Sequence, residues 1–234
     1  MGSIDEKIIL YTNHRCPWAH RAHIALEELK LPFEEVIIDL DTPRKPEYLA
    51  INPRGLVPSI EYNGEIVYES AIVSWLLADA YPSHLVPASD TKGGPLRRAR
   101  IAFFVDTFFS KFQSATMKII GAKSDAEIES FIDAAVDQVV KELEPLSKDA
   151  KPFFGGSDKL TMAEVLTGPF VLRLVSLTKA DVYPSRLGSS IAERAPSFWK
   201  WAEAVAKHPS VTSIYDEAKI IESTKKRIAK ARAS

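Results

Sequence analysis

Short runs of β-branched and apolar residues predict four strands in the first part of the chain. Each run is bounded by turn-forming residues such as Asn, Asp, Gly or Pro. The predicted strands are Lys7–Thr12, Glu35–Leu40, Pro58–Tyr62 and Glu65–Tyr68. Asn63-Gly64 separates the last two runs, and this dipeptide is the strongest short-range signal of a β-hairpin.

Helical periodicity occupies the gaps between these strands. Pro17 suits the first position of a mostly apolar helix that runs to Lys30. Further helices are predicted at Lys45–Ile51 and Ser70–Ala80, and the Ser70 side chain is able to cap the second of them. The resulting order, β-α-β-α-β-β-α, predicts a mixed four-stranded sheet packed with helices, which is a thioredoxin-like α/β domain.

The sequence changes in character after the last of these helices. Three prolines and two glycines interrupt residues 81–95 without apolar periodicity, which is typical of a linker. Helical patterns dominate the rest of the chain, so the second domain is predicted to be an all-α helical bundle. The predicted helices lie at 96–120, 124–146, 161–178 and 191–207, with a final segment from Val211. We therefore expect a thioredoxin-like domain at 1–81, a linker at 82–95 and an all-α domain at 96–234.

Composition restricts the partners of the protein. The chain has 30 Lys and Arg residues against 31 Asp and Glu residues, a net charge of −1. This balance gives no electrostatic reason to expect nucleic acid or an anionic membrane as partner. The N-terminus has mixed charges without a long apolar stretch, and the apolar run at Ala71–Ala80 is too short to span a bilayer, so neither a secretory signal nor a membrane segment is predicted. The single cysteine excludes an internal disulfide and fits a reducing, cytoplasmic compartment.

That cysteine, Cys16, lies where the first strand meets the first helix, directly before Pro17. There the sulfur is expected to face unpaired backbone N–H groups and the positive end of the helix dipole, which both stabilise a thiolate. The alternative is a buried structural cysteine, which is common for this residue type. Because Cys16-Pro-Trp-Ala19 lacks a second cysteine, a disulfide formed at Cys16 has to be resolved by an external thiol. His20 and His23 are near in sequence, but no set of four ligands is completed, so no metal site is predicted.

Two further segments carry features of a small-molecule site. Pro58 begins the third strand, which requires either a cis peptide bond, leaving the Val57 N–H and C=O able to pair with an extended peptide, or a trans bond at a sheet edge. Glu69 and Ser70 precede a helix whose N-terminus favours a carboxylate. Ser70 can donate to that carboxylate and Glu69 can pair with an adjacent ammonium, so the pair describes a receptor for an α-amino-acid group. A helix cap with a neighbouring acid is the alternative.

Taken together, three ordered motifs resemble the glutathione site of the cytosolic glutathione transferases. They are Cys16-Pro-Trp-Ala19, Asn52-Pro-Arg-Gly-Leu-Val-Pro58 and Tyr68-Glu-Ser-Ala-Ile72. The cysteine in the first motif is similar to the omega class and its fungal relatives. In the second half, Leu160-Thr-Met-Ala-Glu164 resembles the capping-box segment of the family, and Ala195-Pro-Ser-Phe-Trp-Lys-Trp201 also resembles the family. The resemblance covers nearly the whole chain and implies the glutathione transferase fold and a homodimer.

The resemblance also implies roles for individual residues. Cys16 would form a mixed disulfide with glutathione, the expected cosubstrate. Val57, held before Pro58, would bind the cysteinyl backbone of glutathione, and Glu69 and Ser70 would bind its γ-glutamyl end.

The family pattern is less regular at two places, a gap beside Lys45 and the residue at position 18. Lys45 matches a family lysine that binds the glycyl carboxylate of glutathione, but a one-residue gap in this stretch makes Arg44 a rival. Trp18 stands where omega members often have Phe, and its wider indole is expected to reshape the mouth of the pocket.

The implied activity is that of a glutathione-dependent thiol transferase or reductase. Its second substrate would be a glutathionylated disulfide, an α-carbonyl thioether or an oxidised acceptor such as dehydroascorbate. One alternative is a transferase that conjugates glutathione to an electrophile in detoxification or a biosynthetic pathway. The other is a noncatalytic regulatory protein that keeps the fold, as similar folds occur in a yeast nitrogen regulator and in elongation-factor subunits.

Overall fold

The computed structural model describes residues 7–233, so most of the N-terminal segment in which no secretory signal is predicted lies outside the described residues. Within that range four strands form one sheet: β1 (Ile8–Thr12), β2 (Glu34–Ile37), β3 (Ser59–Tyr62) and β4 (Glu65–Tyr68). Their order across the sheet is β2-β1-β3-β4. β1 pairs parallel with β2 and antiparallel with β3, and β3 pairs antiparallel with β4. The predicted mixed sheet is confirmed.

The two ends of the sheet differ in how closely the sequence pattern predicts them. Asn63 and Gly64 have φ angles of 53° and 85°, the two positive values that a type I′ hairpin turn requires, so the predicted hairpin is confirmed. At the other edge, β2 ends at Ile37 instead of the predicted Leu40. The reason is that the Asp39 side chain accepts the Asp41 N–H at 2.8 Å and starts a turn, which competes with further strand pairing.

Helices make up most of the remainder of the described chain. Three of them accompany the sheet: α1 (Pro17–Leu29), α2 (Pro46–Ile51) and α3 (Ser70–Ala80). The later ones are α4 (Gly94–Thr107), α5 (Ser114–Gly121), α6 (Asp125–Gln138), α7 (Glu144–Ser147), α8 (Met162–Lys179), α9 (Ser185–Arg194), α10 (Pro196–Ala206), α11 (Pro209–Thr212) and α12 (Glu217–Ala233). Across residues 7–233, no helix is both long and apolar enough to cross a bilayer.

Several helices depart from the predicted bounds. The helix expected at 191–207 is two helices, because Ala195 leaves the helical region (φ −135°, ψ 63°) before Pro196, which cannot continue the hydrogen bonding of α9. The two long helices expected at 96–120 and 124–146 contain π-helical turns at Phe108–Gln113 and Val139–Leu143. Such turns rotate the faces of a helix and are frequent at functional sites.

Helix α1 joins the sheet to the helical region. Residues 19–26 of this helix are all buried, and α1 contacts both α3 and α8. Gly168 of α8 lies at this contact, where a Cβ atom would be at ordinary van der Waals distance from Ile24 (3.6 Å) and from Val205 of α10 (3.4 Å). The N-terminus of α1, with Cys16 before it, is therefore held between the sheet and α8.

The start of α8 contains a fully buried carboxylate, Glu164. Thr161 caps the helix and Glu164 reaches back to the Thr161 N–H at 2.8 Å, so the predicted capping box is confirmed. Glu164 also accepts the Phe154 N–H and the Trp201 indole N–H, at 2.7 Å each. This network ties α8 to α10 and to the short 3₁₀ turn at Phe154–Gly156.

Candidate active site

One cavity of about 440 Å³ gathers most of the residues that the sequence singles out. Its lining comes from the start of α1, the segment before β3 and the start of α3, and includes Cys16, Trp18, Val57, Pro58, Glu69 and Ser70. Arg44 lines this cavity and also the one beside β2, and Lys45 lines the cavity beside β2.

Cys16 is half-buried and occupies the N-cap position of α1. Its backbone C=O accepts the His20 N–H at 3.1 Å, while its side chain makes no capping hydrogen bond. The sulfur lies 3.9 Å from the C=O oxygen of Val57, at the long end for an S–H donor. The thiol is therefore weakly held at the N-terminus of a helix and lines the cavity.

The segment that carries Val57 is fixed by side chains from α2. The Val57–Pro58 peptide bond is cis, which settles the alternative that the sequence leaves open. The preceding Leu56 C=O accepts the Tyr48 hydroxyl at 2.5 Å and the Asn52 side-chain amide at 3.0 Å. Both side chains also contact the Ser59 hydroxyl. Sequence reasoning missed Tyr48 and Asn52, although Asn52 begins one of the three motifs.

Glu69 and Ser70 lie side by side with different surroundings. Glu69 has a φ of 77°, a left-handed conformation that is costly for a residue with a side chain and typical of functional sites. Its exposed carboxylate forms an ion pair with Arg54. Ser70 is buried, and its hydroxyl oxygen accepts an Arg21 N–H at 2.9 Å. The hydroxyl hydrogen of Ser70 is then available to an acceptor in the cavity.

Arg21 places a buried positive charge beside the cavity. Its Nε donates to the Leu166 C=O of α8 at 2.8 Å, and its guanidinium carbon lies 4.5 Å from the ring centres of Trp18 and Phe109. Burial lowers the pKa of Arg21 to about 9, and an ionised Cys16 opposes that shift. The group is therefore charged at neutral pH, and it forms no ion pair within residues 7–233.

Arg173 of α8 is a second buried cation, and sequence reasoning missed it. It donates to the C=O of Pro169 at 2.9 Å and to the C=O of Arg15 at 3.1 Å. Burial lowers its pKa to about 10, with Tyr215 and an ionised Cys16 acting in the opposite direction. A charged residue within the apolar run Val171–Val175 is the signal that the sequence offers for it.

A second cavity, of about 330 Å³, shares Trp18 with the first and lies between α1, α8 and α12. Part of its wall is apolar and comes from Trp18, Phe112, Met117, Phe170, Leu174 and Ile220. The polar part includes Arg15, Arg173, Tyr183 and Arg227. Phe112 belongs to the π-helical turn after α4, so this departure from regular helix contributes to the cavity.

Histidines near Cys16 in sequence do not join it in a cluster. His20 is fully buried. His23 lies 2.9 Å from the Thr12 hydroxyl and 3.3 Å from Glu35, which also pairs with His14 at 2.7 Å. The side-chain ligand atoms of His14, His23 and Glu35 lie within 4.8 Å of one another, and this cluster does not include Cys16. Burial lowers the pKa of His23 to about 4, so its ring is neutral at pH 7.

Known proteins share this fold and sequence pattern. The family model for the "Glutathione S-transferase, N-terminal domain" matches residues 15–80, the stretch from before Cys16 to the end of α3. The glutathione S-transferase omega-1 of Sus scrofa is 28% identical over 219 residues, which cover 92% of this chain and 84% of the relative. Residues 15–80 therefore match the N-terminal domain of the glutathione transferases, and the chain as a whole is similar to omega-class members of that superfamily.

Solved glutathione transferases have the same architecture over almost the whole chain. Glutathione transferase Omega 2C from Trametes versicolor superposes with a TM-score of 0.78 at 29% identity, covering 96% of this chain and 99% of that one. Rice glutathione transferase GST1, solved in complex with glutathione, has a TM-score of 0.82 at 23% identity, covering 97% and 99%. At that lower identity the likeness concerns the fold alone.

Proposed function

We propose that the protein is a glutathione-dependent thiol transferase or reductase that acts through Cys16. Glutathione is its cosubstrate, in keeping with the omega-class transferases among its relatives. The observation that carries the proposal is the convergence of Cys16, Val57, Glu69 and Ser70 on one cavity at the N-terminus of α1. A single thiol at a helix N-terminus, facing a receptor for an amino-acid group, suits exchange with a thiol tripeptide.

The cavity has the polar groups that the γ-glutamyl end of glutathione requires. The N-terminus of α3 and the Ser70 hydroxyl suit its α-carboxylate, because Arg21 occupies the hydroxyl oxygen and leaves its hydrogen to donate. Glu69 suits the ammonium group, which would share this carboxylate with Arg54. The role of each residue is part of the proposal.

The remaining parts of the tripeptide have candidate partners as well. Val57 offers its backbone to the cysteinyl unit, 3.9 Å from the Cys16 sulfur. For the glycyl carboxylate we propose Arg44 ahead of Lys45, since Arg44 lines the cavity and Lys45 lines its neighbour. Trp18, which lines both cavities, would separate glutathione from the second substrate.

In the proposed reaction, the Cys16 thiolate attacks a glutathionylated substrate, in which a disulfide joins glutathione to a substrate thiol. A bond forms between Cys16 and the glutathione sulfur while the substrate disulfide breaks, and the released substrate thiolate takes a proton from water. A second glutathione thiolate then attacks the mixed disulfide, which yields oxidised glutathione and returns Cys16 as a thiolate. The sulfur lies at the N-terminus of α1, and its negative charge as a thiolate would act on the buried charges of Arg21 and Arg173, raising the pKa of both.

Replacing Cys16 by Ser tests this mechanism directly. We expect turnover of a glutathionylated peptide to fall by on the order of 10³-fold or more, as for removal of a covalent nucleophile. Glutathione affinity, measured by titration calorimetry, should change little because the groups around Val57, Glu69 and Ser70 remain. Incubation of the unaltered protein with oxidised glutathione should add one glutathionyl unit by intact mass, reversibly with glutathione.

The same experiment separates the alternatives. Undiminished thiol transfer in Cys16→Ser would exclude the mechanism. Thioether products with electrophiles, without turnover of any disulfide or of dehydroascorbate, would favour a conjugating transferase. A folded protein that turns over neither class of substrate would favour a regulatory role.

We also propose a cytoplasmic homodimer, following the family resemblance. In support, exposed apolar side chains occur both near the sheet and on α4, namely Leu56, Tyr68, Ile72, Leu96 and Phe103. Light scattering should give twice the mass of the chain, and a monomeric mass at micromolar concentration would contradict this.

A further inference from the structure

The cavity between α1, α8 and α12 carries positive charge, and we propose that it selects second substrates with an anionic group on an aromatic or apolar body. The inference rests on the proposed function, because it names the class of second substrate that would bind in the cavity next to the Cys16 cavity.

Three arginines from three parts of the chain line this cavity. Arg15 lies just before α1, Arg173 lies on α8 and Arg227 lies on α12. Among the described residues, the lining contains no Asp or Glu. A concave site lined by cations without carboxylates has a concentrated positive electrostatic potential, which favours an anionic ligand.

Most of the groups that accept hydrogen bonds from these arginines are neutral. Arg15 is the exception, since it pairs with Asp41 at 2.6 Å. Arg173 donates to two backbone carbonyls, and Arg227 donates to the Tyr183 hydroxyl at 3.4 Å. Neither of these two forms an ion pair within residues 7–233. Carbonyl and hydroxyl dipoles accept hydrogen bonds but leave the net charge in place.

The two unneutralised arginines repel each other. The charge of Arg227 adds to burial in lowering the pKa of Arg173. Like charges that share a partly desolvated site cost free energy, and an anion placed between them removes that cost. Tyr183 adds a donor, because its oxygen accepts the Arg227 N–H and its hydrogen remains available.

The rest of the wall indicates the body of the ligand. Trp18, Phe112 and Phe170 provide aromatic surface, and Met117, Leu174 and Ile220 extend it. A volume of about 330 Å³ is at the small end for ligand pockets and suits one or two aromatic rings. Trp18 lines both cavities, and Arg15 and Pro17, the neighbours of Cys16 in sequence, line this one, so the two cavities adjoin at the start of α1.

Arg227 is the residue on which the test depends. Arg173 is buried, and its pKa is raised by an ionised Cys16, so its removal would alter the cavity and the surroundings of Cys16 together. Arg227 is exposed and on the last helix, where substitution leaves the core intact. Lys225, two positions away on α12, is exposed and does not line the cavity, which makes it a matched control for loss of one positive charge.

The probes are 8-anilinonaphthalene-1-sulfonate and its neutral parent, N-phenyl-1-naphthylamine, which differ by the sulfonate alone. We expect the wild-type protein to bind the sulfonate more tightly than the parent by fluorescence titration. Arg227→Gln should weaken sulfonate binding about tenfold, as for loss of one charge-assisted hydrogen bond, and change binding of the parent less than about twofold. Arg227→Lys should recover part of the loss, and Lys225→Gln should match the wild type.

Three outcomes would overturn the proposal: no preference for the sulfonate, equal loss of both probes in Arg227→Gln, or the same loss in Lys225→Gln. Binding is measured without turnover and can be repeated in Cys16→Ser, so it does not depend on thiol transfer. Selective sulfonate binding in a protein without thiol transfer would retain this inference and reject the proposed function. Thiol transfer without a preference for the sulfonate would retain the proposed function and reject this inference.

Discussion

Glu164, Arg21 and Arg173 are all buried charged groups, but they have different kinds of hydrogen-bond partner. Glu164 accepts hydrogen bonds from the backbone of Phe154 and Thr161, from the Thr161 hydroxyl and from the Trp201 indole, all within 2.7–2.8 Å. Arg21 and Arg173 donate to carbonyl and hydroxyl oxygens and lie next to cavities. Glu164 is enclosed by its donors, whereas the arginines face a site that a ligand can enter.

This difference separates a group that holds the fold from groups that act on a ligand. A buried charge stabilises only if its surroundings offset the loss of water. Around Glu164 four donors from the chain supply most of that offset, although burial still raises its pKa against their effect. Around Arg21 and Arg173 it is partial, and an ionised Cys16 adds to it. The uncompensated part is what we expect to favour a thiolate or an anionic ligand.

Removal of the Glu164 carboxylate should have the largest effect on stability. Glu164→Ala leaves several buried donors unpaired, so we expect a loss of about 4 kcal/mol in the free energy of unfolding by denaturant titration. Glu127 on α6 is the matched control, since it accepts the Lys123 N–H at 2.7 Å near an exposed Ser124 cap. Glu127→Ala should cost about 1 kcal/mol or less. Equal losses in the two variants would remove the distinction drawn for Glu164.

Sequence pattern predicts the local parts of this picture and misses the contacts between distant segments. The capping box at Thr161 and Glu164, the turn at Asn63 and the helix start after Cys16 each depend on a few neighbouring residues, and all are present. The partners of Glu164 in Phe154 and Trp201 are set by tertiary packing, and no local signal announces them.

The arginines that line the two cavities show even more clearly that sequence pattern misses contacts between distant segments. Arg173 reaches the backbone of Arg15 across 158 positions of sequence, so its place beside the cleft follows from how α8 packs on α1. The motif with a gap favours Lys45 over Arg44, whereas in the structure Arg44 lines both cavities and Lys45 lines the one beside β2. The π-helical turn that brings Phe112 to the second cavity leaves no mark in a helical periodicity.

His23 represents a third way of burying an ionisable group, as the neutral form. Its folded pKa of about 4 is below the ordinary 6.5, so the unfolded chain takes up the proton first as pH falls. Stability that is present above pH 6.5 is therefore lost between pH 6.5 and 4, by about 3 kcal/mol for this group. We expect His23→Gln to show a shallower decline over that range in denaturant titrations at a series of pH values.

The control for this variant is His84→Gln, since His84 is less buried and pairs with Glu28 at 2.8 Å. Comparison of the two variants separates the effect of the buried ring of His23 from that of removing any histidine. A His23→Gln curve parallel to the wild type would mean that the ring is already protonated in the folded protein, or that its burial costs nothing.

The smallest change in stability, and the sharpest contrast with Glu164, is expected at Arg21. Met has a similar length and no charge, so Arg21→Met removes a buried cation without opening a large cavity, and the free energy of unfolding should change by no more than about 1 kcal/mol. Thiol transfer should nevertheless fall roughly tenfold, as for loss of one charge-assisted interaction, because Ser70 loses its orienting donor and the Cys16 anion loses a nearby charge. Alkylation of Cys16 by iodoacetamide at neutral pH should slow as well, which a purely structural role would not produce.

The control, Arg21→Lys, keeps the charge, and its alkylation rate should lie between those of the wild type and Arg21→Met. If Arg21→Met instead lost several kcal/mol with an unchanged alkylation rate, Arg21 would belong with Glu164 among the groups that hold the fold, and the charge that favours the thiolate would have to come from α1 and Arg173 alone.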